Sequence, residues 1–245
     1  MLKVFSKSDI GLVRQTNQDA CKSGTFSENS AWAVVCDGMG GVNGGNVASG
    51  IAVDKISESI VSSYRDGMAD SSIKNLMMAA IYNANLAIHD EARNHAQLSG
   101  MGTTVVAVLI ADGVAHIAHA GDSRAYLITK NDIRQLTTDH SMVQEMVNNG
   151  DITEQQAKIH PQKNIITRAL GVEPSIQIDY CENEFCSDSR LLICTDGLTN
   201  YIDAGQIYEF SKTMDADSLT DKLVLLAKNC GGGDNITVVI IENYC

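Results

Sequence analysis

Two short turns in the middle of the chain constrain its fold most strongly, because each joins two apolar, β-branched runs. Asp112-Gly113 joins residues 103–110 to residues 114–119, and a second short turn follows residue 129. Asp-Gly between apolar runs is typical of a two-residue β-hairpin, whereas parallel strands need a long crossover. The series of hairpins therefore predicts antiparallel pairing and argues against a doubly wound nucleotide-binding sheet.

Two long helical patterns come before this run of strands. Apolar residues recur every three or four positions from about residue 46 to 64, and again from residue 73 to 88. A further helix is expected around residues 218–228, and short strands are expected at residues 31–36, 176–178, 191–194 and 236–241. No Pro-rich or Gly/Ser-rich linker divides the 245 residues. The sequence thus predicts one α+β domain, a sandwich of antiparallel sheets with helices outside.

The net charge and the apolar runs exclude several classes of protein. Thirty acidic and 18 basic side chains give a formal charge of −12, which argues against a nucleic-acid partner. The longest strongly apolar run, residues 105–111, is far shorter than the roughly 20 residues of a membrane span. The N-terminus has no signal-peptide pattern, and the seven Cys form no CxxC pair. We therefore expect a cytoplasmic protein with reduced thiols and no membrane partner.

Four aspartates lie at the ends of predicted apolar strands. Asp37 and Asp196 each follow a strand and precede a glycine, Asp234 precedes the last strand, and Asp122 lies in a turn between two strands. One Asp-Gly is usually a plain turn, but that explanation would have to hold several times here. Carboxylates gathered at one rim raise one another's pKa unless a cation neutralises them. Oxygen ligands without His or Cys neighbours favour Mg²⁺ or Mn²⁺ over Zn²⁺.

Two further segments lie near these aspartates in the predicted site. The glycine-rich residues 38–45 match neither the P-loop nor the GxGxxG pattern, so we interpret them as a loop around a metal. Residues 14–19 supply Arg14, whose guanidinium matches a phosphate, and Asp19, which could hold metal-bound water. Taken alone, residues 14–19 are more typical of a solvent-exposed arginine beside a capping asparagine.

Eight short motifs follow one another along nearly the whole chain. They are Arg14-x-x-Asn17-x-Asp19, Asp37-Gly38-Met39-Gly40-Gly41, Met101-Gly102-Thr103-Thr104, Gly121-Asp122-Ser123-Arg124, Leu136-Thr137-x-Asp139-His140-Ser141, Thr167-Arg168-Ala169-Leu170-Gly171, Thr195-Asp196-Gly197-Leu198 and Gly233-Asp234-Asn235-Ile236-Thr237. In this order they resemble the metal-dependent protein serine/threonine phosphatases of the PPM type (protein phosphatase 2C-like), in their compact bacterial form. One such motif would be weak support, whereas eight in sequence are specific.

The resemblance implies a four-layer α-β-β-α sandwich of two mainly antiparallel sheets flanked by helix pairs. It also implies two to three Mn²⁺ or Mg²⁺ ions in a cleft at one end of the sheets. By the family pattern Asp37 bridges two ions and the Gly38 carbonyl binds the second. Asp196 and Asp234 complete the first ion, and Asp122, with help from Asp196, holds the third.

The resemblance further implies an activity and its substrates. Arg14 would hold the substrate phosphate, Asp19 would act beyond the direct ligands, and residues 139–171 would form a flap beside the cleft. A hydroxide bridging two ions would attack phosphoserine or phosphothreonine on proteins, so no protein nucleophile is required. The substrates would be phosphoproteins made by a separate serine/threonine kinase, and we expect a monomer.

Two positions depart from the family pattern. Met39 stands where many eukaryotic relatives have a His that is the proposed general acid, and Met cannot donate a proton. His160 in the flap is a candidate substitute, although a surface His beside Pro161 explains it equally well. Gln18 replaces a common Glu. An alternative function is a catalytically weak regulatory module that binds metal or a partner, but retention of Arg14 and the four aspartates favours the enzyme.

Overall fold

The computed structural model describes residues 1–244, without the side chains of residues 42 and 43. In these residues the strands are β1 (Leu2–Asp9), β2 (Asp19–Thr25), β3 (Ala31–Met39), β4 (Gly102–Thr103), β5 (Val105–Ala111), β6 (Val114–Ala120), β7 (Arg124–Ile128), β8 (Ile133–Gln135), β9 (Asp179–Glu184), β10 (Arg190–Cys194) and β11 (Ile236–Asn243). The first sheet has the order β1-β11-β10-β7-β8. The second has the order β2-β3-β5-β6-β9, and β4 pairs with β3. Every pair is antiparallel, as the hairpin pattern predicted.

The two sheets face each other and carry helices on their outer faces. The helices are α1 (Gly41–Ser63), α2 (Asp70–Asn94), α3 (Met142–Asn148), α4 (Glu154–Lys158), α5 (Asp196–Thr199), α6 (Ala204–Ser211) and α7 (Ala216–Asn229). Helices α1 and α2 pack on the second sheet, and α6 and α7 pack on the first. The predicted four-layer α-β-β-α sandwich is therefore confirmed.

Strand β3 shows why the sequences of the central strands are continuous apolar runs. Its alternate residues Ala33 and Val35 lie in the core between the sheets, whereas Val34 and Cys36 face the layer of α1 and α2. Successive side chains of a strand point to opposite faces. A strand covered on both faces must therefore be apolar at every position.

The turn at residues 121–123 differs from the predicted series of hairpins. Asp112 (φ 49°) and Gly113 (φ 78°) form a tight turn between neighbouring strands, as predicted. By contrast, β6 belongs to the second sheet and β7 to the first. Gly121 has φ 111°, and a Cβ there would lie 2.6 Å from the Thr104 side chain. The turn that carries Asp122 is therefore a crossing between sheets.

Other local predictions also needed correction. The predicted strand at residues 176–178 is wrong, because pairing with β6 begins at Asp179. The glycine-rich residues 38–45 are not one continuous loop, because β3 ends at Met39 and α1 begins at Gly41. Contact of this segment with a metal stays a prediction. An ideal Cβ on Gly38 would lie 2.0 Å from the Gly45 carbonyl oxygen. The glycines therefore allow the first turn of α1 to touch the end of β3.

Residues 139–171 lie between β8 and β9 and contain α3 and α4. Isolated bridges join Ser141 to Ile166 and Thr103 to Leu170, so the segment leaves and returns at nearly the same place. None of the helices in residues 1–244 combines the length and apolar character needed to cross a membrane.

Candidate metal centre and active site

The four strand-end aspartates come together at one end of the sandwich. Asp37 lies near the end of β3, Asp196 opens α5 directly after β10, and Asp234 precedes β11. Strands β10 and β11 are antiparallel neighbours, which brings Asp196 and Asp234 to the same end of the first sheet. Asp122 arrives from the crossing between sheets. All four line one cavity of about 500 Å³.

The remaining lining of this cavity includes two of the four other predicted site residues. The remaining lining residues are Arg14, Gln15, Thr16, Gln18, Gly38, Met39, Gly40, Gly41, Thr104, Asn164 and Ile166. The structure thus brings together Arg14 and Gly38 with the four aspartates. It leaves two of the predicted residues, Asp19 and His160, outside the lining.

Asp19 lies beside Asp37, as its cross-strand partner in β2. Its Oδ2 accepts hydrogen bonds from the hydroxyls of Thr195 at 2.9 Å and Thr237 at 2.7 Å. Its Oδ1 is buried and has no hydrogen-bond partner among the described residues. Burial raises the pKa of Asp19 to about 7. Within residues 1–244 no Lys or Arg side chain pairs with Asp19, so a bound cation would be needed to compensate its charge.

The lining aspartates show the same electrostatic deficit. Burial, followed by the charges of Asp19 and Asp196, raises the pKa of Asp37 well above its usual value. Burial and Asp196 raise the pKa of Asp122 to about 7, and burial and Asp234 raise that of Asp196. The buried Asp196 Oδ1 also lacks a hydrogen-bond partner. These carboxylates repel one another in the protein alone, as expected for a site that binds cations.

The donor set of the cavity tests which ion fits. Among the described residues that line the cavity, every negatively charged atom that could bind a metal is a carboxylate oxygen, and no lining residue is His or Cys. Hard divalent cations such as Mg²⁺ and Mn²⁺ prefer oxygen ligands, whereas zinc sites use His and Cys. The residues present therefore fit Mg²⁺ or Mn²⁺.

Backbone contacts hold Asp37 and Gly38 in place. The Asp37 N–H donates to Thr104 Oγ1 at 2.9 Å, and the Thr103 hydroxyl donates to the Asp37 carbonyl at 2.9 Å. The Gly38 N–H donates to the Gln18 carbonyl at 3.1 Å. The end of β3 is thus fixed on both sides before any ligand binds.

Arg14 lies on the loop between β1 and β2 and is half exposed. Its Nη2 donates to Asp234 Oδ2 at 2.7 Å, and this hydrogen bond raises the pKa of the guanidinium. In the described residues this is its one side-chain hydrogen bond. The guanidinium has five N–H donors, so several stay available for a phosphate.

Sequence reasoning gave no role to Asn235, which organises that loop. Its Oδ1 accepts from the Gln18 N–H at 2.8 Å, and its Nδ2 donates to the carbonyls of Ile10 at 2.9 Å and Thr16 at 3.1 Å. Asn235 therefore sets the course of the chain around Arg14. Its position beside Asp234 was visible in the motif, but its partners lie more than 200 residues away.

Asn200 is a second residue without an assigned role. Its Nδ2 donates to Asp196 Oδ2 at 3.0 Å, and its Oδ1 accepts from Lys163 Nζ at 3.3 Å. The spacing of four residues between Asp196 and Asn200 on one helical turn could have indicated this contact. Asn200 thus joins an aspartate of the cavity to the segment 139–171.

His160 lies on the segment 139–171, away from the cavity lining. Its Nδ1 accepts from the Gln162 N–H at 3.2 Å. The residues that this segment contributes to the lining are Asn164 and Ile166. A role of His160 in proton transfer stays a prediction.

Comparison with known proteins assigns this arrangement to a family. The sequence model described as Protein phosphatase 2C matches residues 13–226. The chain belongs to the protein phosphatase 2C family. It is 38% identical over 239 residues to the serine/threonine phosphatase stp of Listeria welshimeri, covering 96% of this chain and 94% of that protein. It is 36% identical over 242 residues to protein phosphatase PhpP of Streptococcus pneumoniae, covering 98% and 97%.

Solved structures of protein phosphatase 2C relatives share the whole fold. The S. agalactiae serine/threonine phosphatase superposes with a TM-score of 0.92 at 32% identity, covering 99% of this chain and 100% of that one. The catalytic domain of the phosphatase PstP, in complex with two manganese ions, gives a TM-score of 0.87 at 31% identity, covering 100% and 99%. This protein phosphatase 2C chain is therefore a metal-dependent protein serine/threonine phosphatase that uses Mn²⁺ or Mg²⁺. The predicted family, fold, activity and cofactors are confirmed.

Proposed function

We propose that the aspartates of the cavity hold the catalytic ions of this phosphatase. Asp37, the Gly38 carbonyl, Asp122, Asp196 and Asp234, which all line this cavity, would hold the two to three ions. The observation that carries this assignment is the convergence of four carboxylates from separate elements on one cavity. When bound, the ions supply an activated water and positive charge for the phosphate.

We propose that Arg14 binds the phosphate of the substrate. Its guanidinium lines the cavity and uses one donor on Asp234. A fork of N–H groups matches two phosphate oxygens, and its positive charge stabilises negative charge that develops on them. Asn235 orients the loop that delivers Arg14.

We propose that Asp19 acts from its place beside Asp37. Thr195 and Thr237 fix its Oδ2, and its Oδ1, which has no hydrogen-bond partner among the described residues, would accept a hydrogen bond from ordered water. A fixed acceptor costs no reorganisation during the reaction. Asp19 thereby orients water without taking part in bond breaking.

The proton for the leaving hydroxyl has a separate source. Met39 lines the cavity but has no acidic proton that it could donate to the leaving group, and none of the described lining residues is a histidine. His160, on the segment 139–171 that we propose borders the substrate, stays our candidate for this proton. The test is the pH profile of kcat for His160→Gln: loss of the alkaline limb supports the role, and an unchanged profile rejects it.

We infer that residues 1–245 work as a single domain in which the segment 139–171 is a flap over the cleft. Asn164 and Ile166 of that segment line the cavity.

We also infer that the phosphoprotein substrates are products of a separate serine/threonine kinase, and that the enzyme is cytoplasmic and monomeric. Phosphoproteomics of a deletion strain complemented with wild type or Asp37→Asn tests the kinase link. Light scattering of the purified protein tests the monomer.

Turnover with and without metal tests the assignment of the cavity. We expect wild type to hydrolyse p-nitrophenyl phosphate and a phosphothreonine peptide with Mn²⁺, and to stop in EDTA. Asp37→Asn should reduce kcat by about 10²–10³-fold, the size of losing one principal electrostatic group. Wild-type turnover by Asp37→Asn at saturating Mn²⁺ would exclude this mechanism. Mn²⁺ binding without any turnover by wild type would instead support a regulatory module.

A further inference from the structure

A cluster of two buried histidines with a partly exposed aspartate and arginine, near the cavity, has no part in the mechanism above. His140 stands at the start of the segment 139–171 and is 6% exposed. Its ring stacks on that of His119, with centroids 4.8 Å apart and planes 6° from parallel. Asp179 and Arg168 complete the cluster. Buried polar groups of this kind need a structural or functional explanation.

The hydrogen bonds of His140 show which ring nitrogen carries the proton. The Gly121 N–H donates to Nδ1 at 3.1 Å, so Nδ1 carries the lone pair and Nε2 carries the proton. Nε2–H donates to Asp179 Oδ2 at 3.2 Å, and Arg168 Nη1 donates to Asp179 Oδ1 at 2.8 Å. Two donors thus share one carboxylate. Burial keeps the pKa of His140 below its usual value, which favours this neutral ring.

This tautomer argues against a metal ion in the cluster. His119, His140 and Asp179 have ligand atoms within 4.8 Å of one another. A metal at His140 Nε2 would require a lone pair there and would displace its proton. In addition, Arg168 Nη1 lies 3.1 Å from Nε2 and places a positive charge where the ion would sit. The cluster therefore acts through hydrogen bonds.

Those hydrogen bonds join the segment 139–171 to the crossing that carries Asp122. The His140 N–H donates to the Gly121 carbonyl at 3.0 Å, in addition to the bond that Gly121 makes to Nδ1. The far end of the segment meets the same residue, because the Thr167 N–H donates to the His140 carbonyl at 2.8 Å. His140 thus forms hydrogen bonds with the peptide groups on both sides of Gly121, the residue directly before Asp122.

A second contact between the same two parts of the chain lies on the other side of Asp122. Arg124 donates from Nε and Nη2 to the Asp139 carboxylate at 2.9 and 2.6 Å. The residues before and after Asp122 are therefore both tied to the first two residues of the segment 139–171. Movement of that segment's base must be transmitted to the Asp122 backbone.

We propose that His140 is a positioning residue for the metal site at Asp122. It holds the Gly121–Asp122 peptide in register with the base of the segment 139–171, so that ion binding at Asp122 and anchoring of this segment are coupled. The inference rests on the proposed assignment of Asp122 as a metal ligand. His140 touches neither the substrate nor the ions.

Two substitutions separate the hydrogen bonds of His140. In His140→Asn the amide oxygen takes the place of Nδ1 and accepts from Gly121, whereas His140→Gln reaches toward Asp179 and leaves Gly121 without an acceptor. We expect Mn²⁺ titration by calorimetry to show that the site lost in Asp122→Asn is about tenfold weaker in His140→Gln, the order of one hydrogen bond. In His140→Asn the change should be less than threefold. The sites that remain in Asp122→Asn should be unchanged in both.

Amide hydrogen exchange of the metal-free protein provides a readout without ions or activity. The Gly121 amide should exchange about tenfold faster in His140→Gln than in wild type and keep its protection in His140→Asn. The matched control is His116→Gln, because His116 is a buried histidine in β6 whose Nδ1 instead contacts the Tyr180 hydroxyl at 2.7 Å. It should leave both Mn²⁺ binding and Gly121 exchange unchanged.

A double mutant separates failure of this proposal from failure of the metal assignment. In an Asp122→Asn background His140→Gln should change Mn²⁺ binding less than twofold, because the site that it positions is already lost. Wild-type Mn²⁺ binding in His140→Gln, or an equal loss in the Asp122→Asn background, would overturn the role of His140. Wild-type Mn²⁺ binding in Asp122→Asn itself would show that Asp122 is not a ligand, and the coupling would fall with it.

Discussion

At individual positions of the site, the atoms that a side chain would contact limit which residue type can be present. Gly38 is the sharpest case, because a Cβ there would lie 2.0 Å from the Gly45 carbonyl oxygen and 2.6 Å from the Gln18 carbonyl oxygen. Both contacts are with backbone, which cannot rotate away as a flexible side chain can. The same close approach packs the start of α1 against the residue beside Asp37. Glycine is therefore required by packing as well as by any carbonyl–metal contact.

Gly38→Ala should consequently lower both stability and metal affinity. We expect a loss of about 1–3 kcal/mol in the free energy of unfolding, the usual cost of overpacking, together with weaker Mn²⁺ binding. Thermal unfolding and calorimetric titration measure the two effects. Gly50→Ala is the matched control, since nothing lies within 4 Å of its Cβ position inside α1. It should stabilise the protein by about 0.5–1 kcal/mol, and a stability gain in Gly38→Ala would contradict the packing argument.

At the scale of elements, β11 links the core to the site. The strand is buried along nearly its whole length between β1 and β10. Directly before it, Asp234 lines the cavity and Asn235 holds the loop around Arg14. One rigid strand thus positions the proposed metal ligand Asp234 and, through Asn235, the candidate phosphate ligand.

Asn235→Ala removes three hydrogen bonds to that loop at once. We expect kcat/KM for a phosphopeptide to fall by about tenfold or more, because each unmade hydrogen bond costs about 0.5–1.5 kcal/mol. Much of the loss should appear in KM, since we propose that Arg14 binds the substrate phosphate. Asn243→Ala, at the opposite end of β11, loses a long bond to the Phe185 carbonyl and should stay within twofold of wild type. Equal losses in the two variants would contradict the role given to Asn235.

At the scale of the whole molecule, folding drives like charges together. The chain carries a formal charge of −12, and folding brings the buried Asp19 and the partly buried Asp37, Asp122 and Asp196 together at one end of the sandwich. Divalent cations that bind only the folded state offset this repulsion and stabilise the protein, by about 2.7 kcal/mol at 100 times Kd. The clustered carboxylates therefore lower the stability of the folded protein without ions and, through bound ions, raise its stability when metal is present.

The metal-free protein should accordingly lose stability as pH rises. Asp19 and Asp122 have pKa values of about 7 in the folded protein against 3.8 for the free side chain. Between these values the folded state binds more protons than the unfolded state, so this contribution to stability is present at low pH and is lost as pH rises from about 4 to 7. Urea unfolding in EDTA across this range measures the slope.

Asp122→Asn provides the comparison for that slope. In EDTA at pH 7 it should be more stable than wild type, with a shallower fall between pH 4 and 7. With saturating Mn²⁺ the order should reverse, because the variant has lost a ligand. A variant less stable than wild type in EDTA would show that the repulsion among these carboxylates is small.

How far the sequence predicted each element depends on where the element lies in the sandwich. The central strands β3, β5, β6, β10 and β11 are buried on both faces, and their apolar runs predicted them. Strands β1 and β2 were missed because each is an edge strand whose residues are only partly buried. The start of α1 was missed because its glycines are dictated by a contact with Gly38.

The sequence alone determined the layered architecture, the family and the aspartates, because turn residues, apolar periodicity and ordered motifs are local patterns. Tertiary structure alone decided which groups hold those aspartates. Thr237 donates to Asp19 across 218 positions of the chain, and Asn235 accepts from Gln18 across 217. It also decided that the Asp122 turn crosses between sheets and meets His140. Such contacts depend on how distant segments pack, and no local pattern carries that information.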